Sequence, residues 1–250
     1  MVAIRAGEIM MTCGAEIGRV EDTIERICKA CGIDYVNVFA MPSGIFVSTD
    51  NEDASNTVTH IERLKKSDTD LGKISKVNAF SRTFTTTDMT VEEGMKVLDE
   101  IEASKPYPFQ VRAIAAAVVT SCFSVLFGGD AICFGVAFCL GLLCYVFSRF
   151  LEKYDVNFFI RGFCCTAMAT FCALVADASI DGMSYVPVVT GCIMLFVPGV
   201  SITNSIRSLL SGDMLSGLAK LTEAALIGIG LAAGAGLVIK IWALIGGVAL

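Results

Sequence analysis

Histidine is almost absent from the sequence, since His60 is the single one among 250 residues. No nucleophile and orienting acid can be assigned to it, so a catalytic role is not expected. The motifs HExxH and GxSxG are missing, and the apolar runs hold no paired carboxylates. These absences argue against a membrane-embedded enzyme, because nothing assembles a nucleophile or a catalytic metal. No catalytic residue, metal site or cofactor is predicted.

Basic residues are scarce as well. The formal net charge is −6, which excludes the basic footprint of a nucleic-acid-binding protein. Residues 111–250 carry only seven Lys or Arg and seven Asp or Glu, whereas residues 1–110 carry 12 and 18. The chain is 54% hydrophobic, above the roughly 45–50% of ordinary globular proteins. The sequence therefore predicts a soluble N-terminal part followed by a part that is integral to a membrane.

An α+β cytosolic domain is predicted for residues 1–105. The stretch after the first methionine carries early charges and lacks the apolar run and cleavage site of a signal peptide, so this part is expected to stay in the cytosol. Apolar residues recur at steps of three and four from Ala6 to Cys31. This spacing predicts one amphipathic helix that ends at Gly32.

The pair CKAC, Cys28 to Cys31, matches the CxxC pattern of metal and redox sites. A single pair is a weak signal. Both cysteines fall on the apolar stripe of the predicted helix, so packing in the core is the favoured interpretation.

Three strands and two further helices complete the predicted domain. Two β-rich runs flank the turn at Pro42–Gly44 and predict a hairpin, and a third strand is predicted at Thr57–Leu64. A helical stripe runs from Leu71 to Phe84. Thr90 and Glu93 have the spacing of a capping box in front of a last helix.

An all-α polytopic membrane domain is predicted for residues 106–250, after a linker that contains Pro106 and Pro108. A transmembrane helix needs about 20 mostly apolar residues. Five segments qualify or nearly qualify: Val111–Gly128, Ala131–Ser148, Phe158–Ala176, Tyr185–Val197 and Leu221–Ile239. The fourth is expected to break at Pro198 and Gly199, because proline lacks a backbone donor and glycine weakens a helix.

The connections between these segments predict the orientation. With a cytosolic N-terminus, the outside loops Gly128–Asp130 and Asp177–Ser184 contain no Lys or Arg. The inside connections carry Lys105, Arg112, Arg149, Lys153, Arg161, Arg207 and Lys220. Lys240 alone departs from this pattern, and it can snorkel to the interface. We expect a multi-pass protein of the plasma (inner) membrane, with its C-terminus outside.

Small residues mark one face of the last apolar segment. Gly230 and Gly234 form a GxxxG pattern that Gly228 and Gly236 extend. Such a face lets another helix approach closely. Packing within this chain and contact with another subunit are both compatible with it.

A polar segment follows the predicted helix break. Its candidate substrate-binding residues are Ser201, Thr203, Asn204, Ser205 and Arg207. Side chains of this kind do not face lipid, and irregular backbone at membrane depth is tolerated only when it is buried in protein or lines a water-filled cavity. A helix that begins near Ser201 would aim its positive end at an anionic group such as a carboxylate. The alternative is that residues 200–213 form an amphipathic helix on the cytosolic surface.

Two acidic residues near this segment are candidates for proton coupling. Asp213 and Glu223 both lie at a predicted cytosolic edge, so solvated loop carboxylates are the favoured interpretation. Hydroxyl side chains in the apolar segments could line the same cavity, but hydroxyls in membrane helices more commonly bond their own backbone. They are Thr120, Ser121, Ser124, Thr166, Thr170 and Thr190.

Several segments together resemble one known family, the threonine/serine exporters (ThrE). They are GAEIGRVEDTIERI (14–27), VFAMPSGIFVS (38–48), VNAFSR (77–82), LFGGD (126–130) and VPGVSITNSIRSLLSGDMLSGLAKLTEA (197–224). The match runs in order along nearly the whole chain, and its first and last motifs are specific. The chain is most similar to the split form of the family, of the YjjP type.

The resemblance implies a cytosolic N-terminal domain, a membrane part with several spans, and export of small amino or carboxylic acids driven by the proton gradient. It marks two groups of residues without assigning their individual roles. In the first helix these are Glu16, Arg19, Glu21 and Asp22, for which gating or coupling and simple solvation are both open. In the second motif they are Pro198, Gly199, Thr203, Asn204, Arg207, Gly212 and Asp213.

The resemblance also implies a partner. Full-length members carry a second membrane half, which this sequence does not contain. A hetero-oligomer with a small membrane subunit of the YjjB type is therefore expected, and a homo-oligomer is compatible with the sequence as well.

The sequence thus predicts a proton-coupled exporter subunit, an antiporter for threonine/serine-like amino acids or for small dicarboxylates such as succinate. Arg207 and the start of the broken helix would hold the carboxylate, and the neighbouring polar side chains would bond hydroxyl or amino groups. The alternative is a sensory or scaffold membrane subunit that does not transport and binds a partner through its cytosolic domain.

Overall fold

The computed structural model describes residues 1–50, 57–64 and 69–246. The chain forms two compact units. The first comprises Met1–Lys105 and Val200–Leu221, and the second comprises Pro106–Gly199 and Thr222–Leu250. Residues 200–221 belong by their contacts to the first unit, although they follow the apolar segments in sequence. The predicted domain limits, 1–105 and 106–250, stay a prediction.

The first unit begins with two helices where the sequence predicted one. Helix α1 spans Val2–Thr12 and helix α2 spans Ile17–Ala30. The prediction of a single helix from Ala6 to Cys31 is wrong, because Gly14 adopts a positive φ of 81°, a conformation that glycine reaches without the steric cost of a side chain. The three-to-four spacing continues across the break because both helices bury apolar side chains in the same core.

The prediction that both cysteines of the CKAC pair pack in the core is wrong for the second one. Cys28 is buried in the core, but Cys31 is exposed, because the helix ends at Ala30 and Cys31 follows as its C-cap. Burial raises the pKa of the Cys28 thiol, since the low-polarity surroundings disfavour a thiolate.

The three predicted strands are confirmed. Strands β1 (Tyr35–Met41), β2 (Gly44–Asp50) and β3 (Val58–Arg63) form an antiparallel sheet in the order β1-β2-β3. Met41 pairs with Gly44 across the turn. The inward side of the sheet contributes Ala40, Ile45 and Val47 to the core. His60 lies on β3 with its Nε2 atom 3.5 Å from a Glu62 carboxylate oxygen.

Two further helices complete the N-terminal segment. Helix α3 spans Leu71–Thr86 and helix α4 spans Val91–Ala103. The capping box is confirmed, because Thr90 and Glu93 each accept a backbone N–H from the other. The predicted stripe of α3 is buried in the core at Ile74, Val77, Ser81 and Phe84, whereas Leu71 at its start is exposed.

The remaining helices are α5 (Phe109–Leu126), α6 (Ala131–Lys153), α7 (Phe158–Ser179), α8 (Tyr185–Met194), α9 (Gly199–Leu210) and α10 (Met214–Leu244). Within the described residues, α5, α6, α7 and α10 are long and apolar enough to cross a membrane. A fifth span results if α8 and α9 count as one broken span. The structure is therefore mostly helical, with four to five helices capable of spanning a membrane and one small sheet.

The predicted helix break is confirmed. Helix α8 ends at Met194 and α9 begins at Gly199, so residues 195–198 interrupt the helical hydrogen bonding. Pro198 stands directly before α9, where its missing N–H costs little because the first N–H groups of a helix have no intrahelical acceptor.

Several hydroxyl groups of the second unit donate hydrogen bonds to backbone carbonyls of their own helix. The residues that donate to a carbonyl three or four positions earlier are Thr120, Ser121, Thr166 and Thr190. Thr120 and Thr166 also reach a neighbouring helix, at the carbonyls of Ala137 and Leu231. In the part of the chain that the structure describes, the buried hydroxyls of Ser124 and Thr170 have no hydrogen-bond partner.

The GxxxG face of α10 packs on α7 within this chain. A Cβ atom at Gly234 would collide with the Phe163 carbonyl oxygen and the Thr166 hydroxyl, and one at Gly230 would lie 3.1 Å from the Phe159 ring. Gly228 and Gly236 have nothing within 4 Å of such an atom. Close approach of two backbones therefore explains the two central glycines of the pattern.

Candidate functional site

The turn between α1 and α2 meets the polar segment in the first unit. The Asn204 side-chain amide donates to the carbonyl of Gly14 over 3.2 Å, and Arg207 Nη1 lies 2.7 Å from Glu16 Oε2. Lys220 Nζ donates to the carbonyl of Ala15 over 3.4 Å. Segments some 190 residues apart in sequence, which include the two most specific motifs of the chain, thus contact one another directly.

Helix α9 presents one consistent face to this turn. Val200, Asn204 and Arg207 follow one another at steps of four and three residues, which places them on one side of a helix. These three side chains line an open cleft of about 150 Å³. The other residues of its wall are Gly14, Ala15, Glu16, Arg19, Leu71 and Ile74.

The charges around the cleft are not balanced. Glu16 is paired with Arg207, and 22% of the Glu16 side chain and 56% of the Arg207 side chain remain exposed. Arg19 lies exposed on the first turn of α2, and its guanidinium forms no ion pair or hydrogen bond with any residue that the structure describes. The cleft therefore carries two guanidinium groups and one carboxylate.

Glu21 lies two residues after Arg19 on α2 and is half-buried. Its Oε1 atom accepts the backbone N–H of Ala40 on β1 over 2.8 Å. Burial raises the pKa of Glu21 above its usual range, the hydrogen bond from Ala40 opposes this, and the charge of Asp213 adds to the increase. A carboxylate that resists ionisation can take up a proton at a pH where other carboxylates stay charged.

Asp213 stands at the corner between α9 and α10. Gly212 turns the chain with a φ of 88°, and the Asp213 side chain then accepts the N–H of Ser216 over 3.2 Å at the start of α10. A carboxylate in this position stabilises the helix by satisfying a free N–H group and by interacting with the helix dipole.

The structure does not bring every predicted site residue to the cleft. Ser205 is buried and donates to the carbonyl of Ile202. Ser201, Thr203 and Asp22 lie outside the wall of the cleft. Glu223 is exposed and belongs to the second unit, whereas Asp213 belongs to the first.

Comparison with known proteins identifies the family. The family model ThrE, described as "Putative threonine/serine exporter", matches residues 1–242. This match covers nearly the whole chain. The chain belongs to the threonine/serine exporter family.

Two curated relatives of this ThrE family chain are named as exporters. A "Threonine/serine exporter" of Corynebacterium glutamicum is 24% identical over 246 residues, which are 96% of this chain and 50% of that protein. A "Probable threonine/serine exporter" of Mycobacterium tuberculosis (strain ATCC 25618 / H37Rv) is 23% identical over 93% of this chain and 44% of that protein. The chain thus spans about half the length of the curated relatives it matches. No solved structure matches it.

Sequence reasoning about this ThrE chain missed part of the site. Gly14 and Ala15 contribute backbone carbonyl groups, and Leu71 and Ile74 contribute an apolar wall. The single available signal was Gly14 itself, because a glycine inside a regular apolar stripe points to a special backbone conformation. The family is one of transporters rather than enzymes.

Proposed function

We propose that this chain is a subunit of a proton-coupled exporter for threonine/serine-like amino acids or for small dicarboxylates such as succinate. The observation that carries the proposal is the contact of the polar segment α9 with the α1–α2 turn around an open, charged cleft. Family membership and the named activity of the relatives support the same function.

The broken-helix segment supplies the substrate contacts in this proposal. Arg207 holds a substrate carboxylate, because a guanidinium forms two parallel hydrogen bonds with a carboxylate. The start of α9 lies eight residues, about 12 Å along the helix, from Arg207, so it does not share that carboxylate. Asn204, which lines the cleft, bonds a hydroxyl or amino group of the substrate. Ser201, Thr203 and Ser205 lie outside the cleft wall and are left without a substrate contact in this proposal. In the structure Arg207 is bound to Glu16, so the substrate carboxylate competes with Glu16 for this guanidinium.

Proton coupling needs a carboxylate that changes its protonation during the cycle. Asp213 and Glu223 are the candidates. Asp213 lies near the half-buried Glu21, whose pKa its charge raises, and this proximity supports Asp213. Alternating access around the broken helix then couples proton entry to substrate exit.

A second membrane subunit of the YjjB type completes the transporter in this proposal, in the plasma (inner) membrane. The support is the resemblance of the sequence motifs to the split form of the family. Transport by this chain alone would contradict the need for that partner, without contradicting export itself.

Uptake into inverted membrane vesicles tests the function. We expect threonine, serine or succinate to accumulate when a pH gradient is imposed and the small subunit is present. Asn204→Ala and Arg207→Ala should abolish accumulation at unchanged protein level, whereas Arg26→Ala, on an exposed position of α2 outside the cleft, should not. Normal transport in both α9 variants would remove the proposed site.

The alternative is a sensory or scaffold subunit. One observation favours it: α9 contacts the N-terminal part of the chain and groups with it in one compact unit. In that case vesicles with the small subunit show no gradient-driven accumulation of any substrate in the panel, while the two chains still co-purify.

A further inference from the structure

Two arginines from different helices of the second unit converge on one carboxylate where α6 is followed by α7. Arg149 Nη1 lies 2.6 Å from Glu152 Oε2, and Arg161 Nη1 lies 3.6 Å from the same oxygen atom. The two guanidinium groups are therefore neighbours, although Arg149 belongs to α6 and Arg161 to α7. One carboxylate cannot neutralise both of them, and each guanidinium has several further N–H groups to donate.

This pair of arginines lies where the apolar stretches of α6 and α7 meet their polar ends. Residues 131–148 of α6 and residues 162–176 of α7 contain no charged side chain, and both helices are apolar enough to cross a membrane. Phe150 and Tyr154 at the end of α6 are exposed, and their ring centroids are 5.0 Å apart. Exposed aromatic side chains are typical of the level of lipid headgroups. The two guanidinium groups are thus expected at the depth of lipid phosphates.

Positive charge exceeds negative charge at this end of helices α5, α6 and α7. The cations are Arg112, Arg149, Lys153 and Arg161, and the carboxylates are Glu152 and Asp155. Glu223 of α10 comes seven residues before Gly230, which packs on Phe159, and so lies about 10 Å along α10 from that contact. A zwitterionic phospholipid adds no net charge and leaves the excess in place, whereas an anionic phospholipid reduces it.

We propose that the α6–α7 junction, residues 149–161, binds the phosphate group of an anionic phospholipid, which bridges Arg149 and Arg161. A phosphate presents oxygen atoms on several sides and accepts paired hydrogen bonds from guanidinium groups. Glu152 is 43% exposed, so its carboxylate can turn toward water when the phosphate takes its place. The inference is independent of the transported substrate and of the side of the membrane that the junction faces, because both leaflets present phosphates.

The connection between the two helices keeps the guanidinium groups close together. It consists of residues 154–157. Tyr154 and Val156 both donate their backbone N–H groups to the carbonyl of Leu151, and the Asn157 side chain accepts the N–H of Phe159 at the start of α7 over 2.9 Å. A short connection closed by hydrogen bonds loses little conformational freedom when a ligand binds, which favours affinity.

Stabilisation of the fold does not account for this arrangement. The side chains of Arg149 and Arg161 are 41% and 31% exposed, and ion pairs with this degree of exposure add little to stability. Removal of either guanidinium should therefore leave the chain folded, so both positions are suitable for a binding test.

Native mass spectrometry of the full-length chain purified in detergent tests the inference. The probes are a phosphatidylglycerol and a phosphatidylcholine with the same acyl chains, and inorganic phosphate as a competitor. We expect one phosphatidylglycerol molecule to be retained at a concentration about tenfold below that needed for phosphatidylcholine. Equal retention of the two lipids, or displacement of phosphatidylglycerol by inorganic phosphate at the same concentration, would overturn the inference.

Variants at the two arginines distinguish a site from general attraction by positive charge. Arg149→Gln and Arg161→Gln should each weaken the retention of phosphatidylglycerol about tenfold and leave that of phosphatidylcholine unchanged. The matched control is Arg112→Gln, which removes one cation from the same end of the helices, where its guanidinium lies 5.8 Å from the centre of the Tyr145 ring. This control should change retention by less than about twofold.

Two results with these variants would contradict the site. An equal loss in Arg112→Gln would show that the excess charge attracts lipid without a defined site. Unchanged retention in Arg149→Gln and Arg161→Gln, with elution volume and helical circular dichroism as in the parent, would place the lipid elsewhere on the protein.

Discussion

The stability of the first unit depends on the protonation of Glu21, whose side chain is half-buried. Burial and the neighbouring Asp213 raise its pKa in the folded chain, so the folded state binds more protons than the unfolded state between the two pKa values. The contribution of Glu21 to the free energy of unfolding is fully present below the pKa that Glu21 has in the unfolded chain. It is lost as the pH rises through the pKa of Glu21 in the folded chain.

The variant Glu21→Gln should therefore become more stable relative to the parent as the pH rises through this window. The neutral amide keeps an oxygen acceptor for the Ala40 N–H and carries no charge that burial disfavours. Thermal unfolding of both proteins from about pH 4 to about pH 8 measures the effect. Glu100→Gln removes an exposed carboxylate of α4 as a control, and melting curves of Glu21→Gln that run parallel to those of the parent at every pH would contradict the linkage.

The ion pair between Glu16 and Arg207 should contribute little to stability. The contact is short, but more than half of the Arg207 side chain is exposed, and exposed pairs contribute about 0.2–1 kcal/mol. A double-mutant cycle with Glu16→Gln and Arg207→Gln, measured by chemical unfolding, should give a coupling energy of at most about 1 kcal/mol. A coupling of several kcal/mol would make the pair structural and weaken the proposed exchange of Glu16 for a substrate.

At the residue scale, composition singled out a segment that lines the cleft, but it did not predict the contacts of that segment. Asn204 and Arg207 stood out because polar side chains are unexpected between apolar runs. Their partners Gly14 and Glu16 lie about 190 residues earlier, and no local pattern in one sequence encodes a contact at that separation. Ser205 was selected on the same ground, yet its hydroxyl bonds its own helix.

At the scale of elements, α10 carries one glycine that faces another helix and one that faces open space, and the two can be compared by the same substitution. Gly234 faces the backbone of α7, where a Cβ atom on this glycine would lie only 3.1 Å from the carbonyl carbon of Phe163, whereas Gly236 has open space. Gly234→Leu should force α7 and α10 apart and break the Thr166 hydrogen bond to the Leu231 carbonyl.

We expect Gly234→Leu to lower the stability of the detergent-purified chain by about 1–3 kcal/mol, the usual cost of overpacking. Gly236→Leu should leave the stability within about 0.5 kcal/mol of the parent. The measurement is thermal unfolding combined with the yield of well-folded chain on size exclusion. A larger loss in Gly236→Leu than in Gly234→Leu would contradict the packing of this face within the chain.

Element boundaries were predictable wherever a local signal marks them. The capping box at Thr90, the turn after Met41 and the break before Gly199 each follow from the chemistry of a few adjacent residues. The break between α1 and α2 was missed because the periodic burial of apolar residues continues through it. Periodicity reports which side of the chain is buried, and it is insensitive to a short interruption that keeps that side in phase.

At the scale of the whole molecule, hydropathy separates apolar from polar segments but does not say which segments associate. Residues 200–221 follow the apolar helices, and yet they group with Met1–Lys105. The physical reason is that their polar side chains find carbonyl and carboxylate partners in the α1–α2 turn, which apolar helices do not offer.

The distribution of positive charge along the chain predicts how the protein is oriented in the membrane. The connection between α6 and α7 is flanked by Arg149, Lys153 and Arg161, whereas the connection between α7 and α8 carries Asp181 and no Lys or Arg. Positively charged loops are retained in the cytosol. The α6–α7 connection should therefore be cytosolic and the α7–α8 connection should face outside.

Reporter fusions after Lys153 and after Asp181 test this orientation. Alkaline phosphatase is active only outside the cytosol and green fluorescent protein folds best within it, so the two reporters should give opposite signals at the two positions. Replacing Arg149, Lys153 and Arg161 by Gln should weaken the difference, because these three side chains supply the bias. An active phosphatase after Lys153 in the parent chain would invert the topology and place the positively charged α6–α7 connection outside the cytosol.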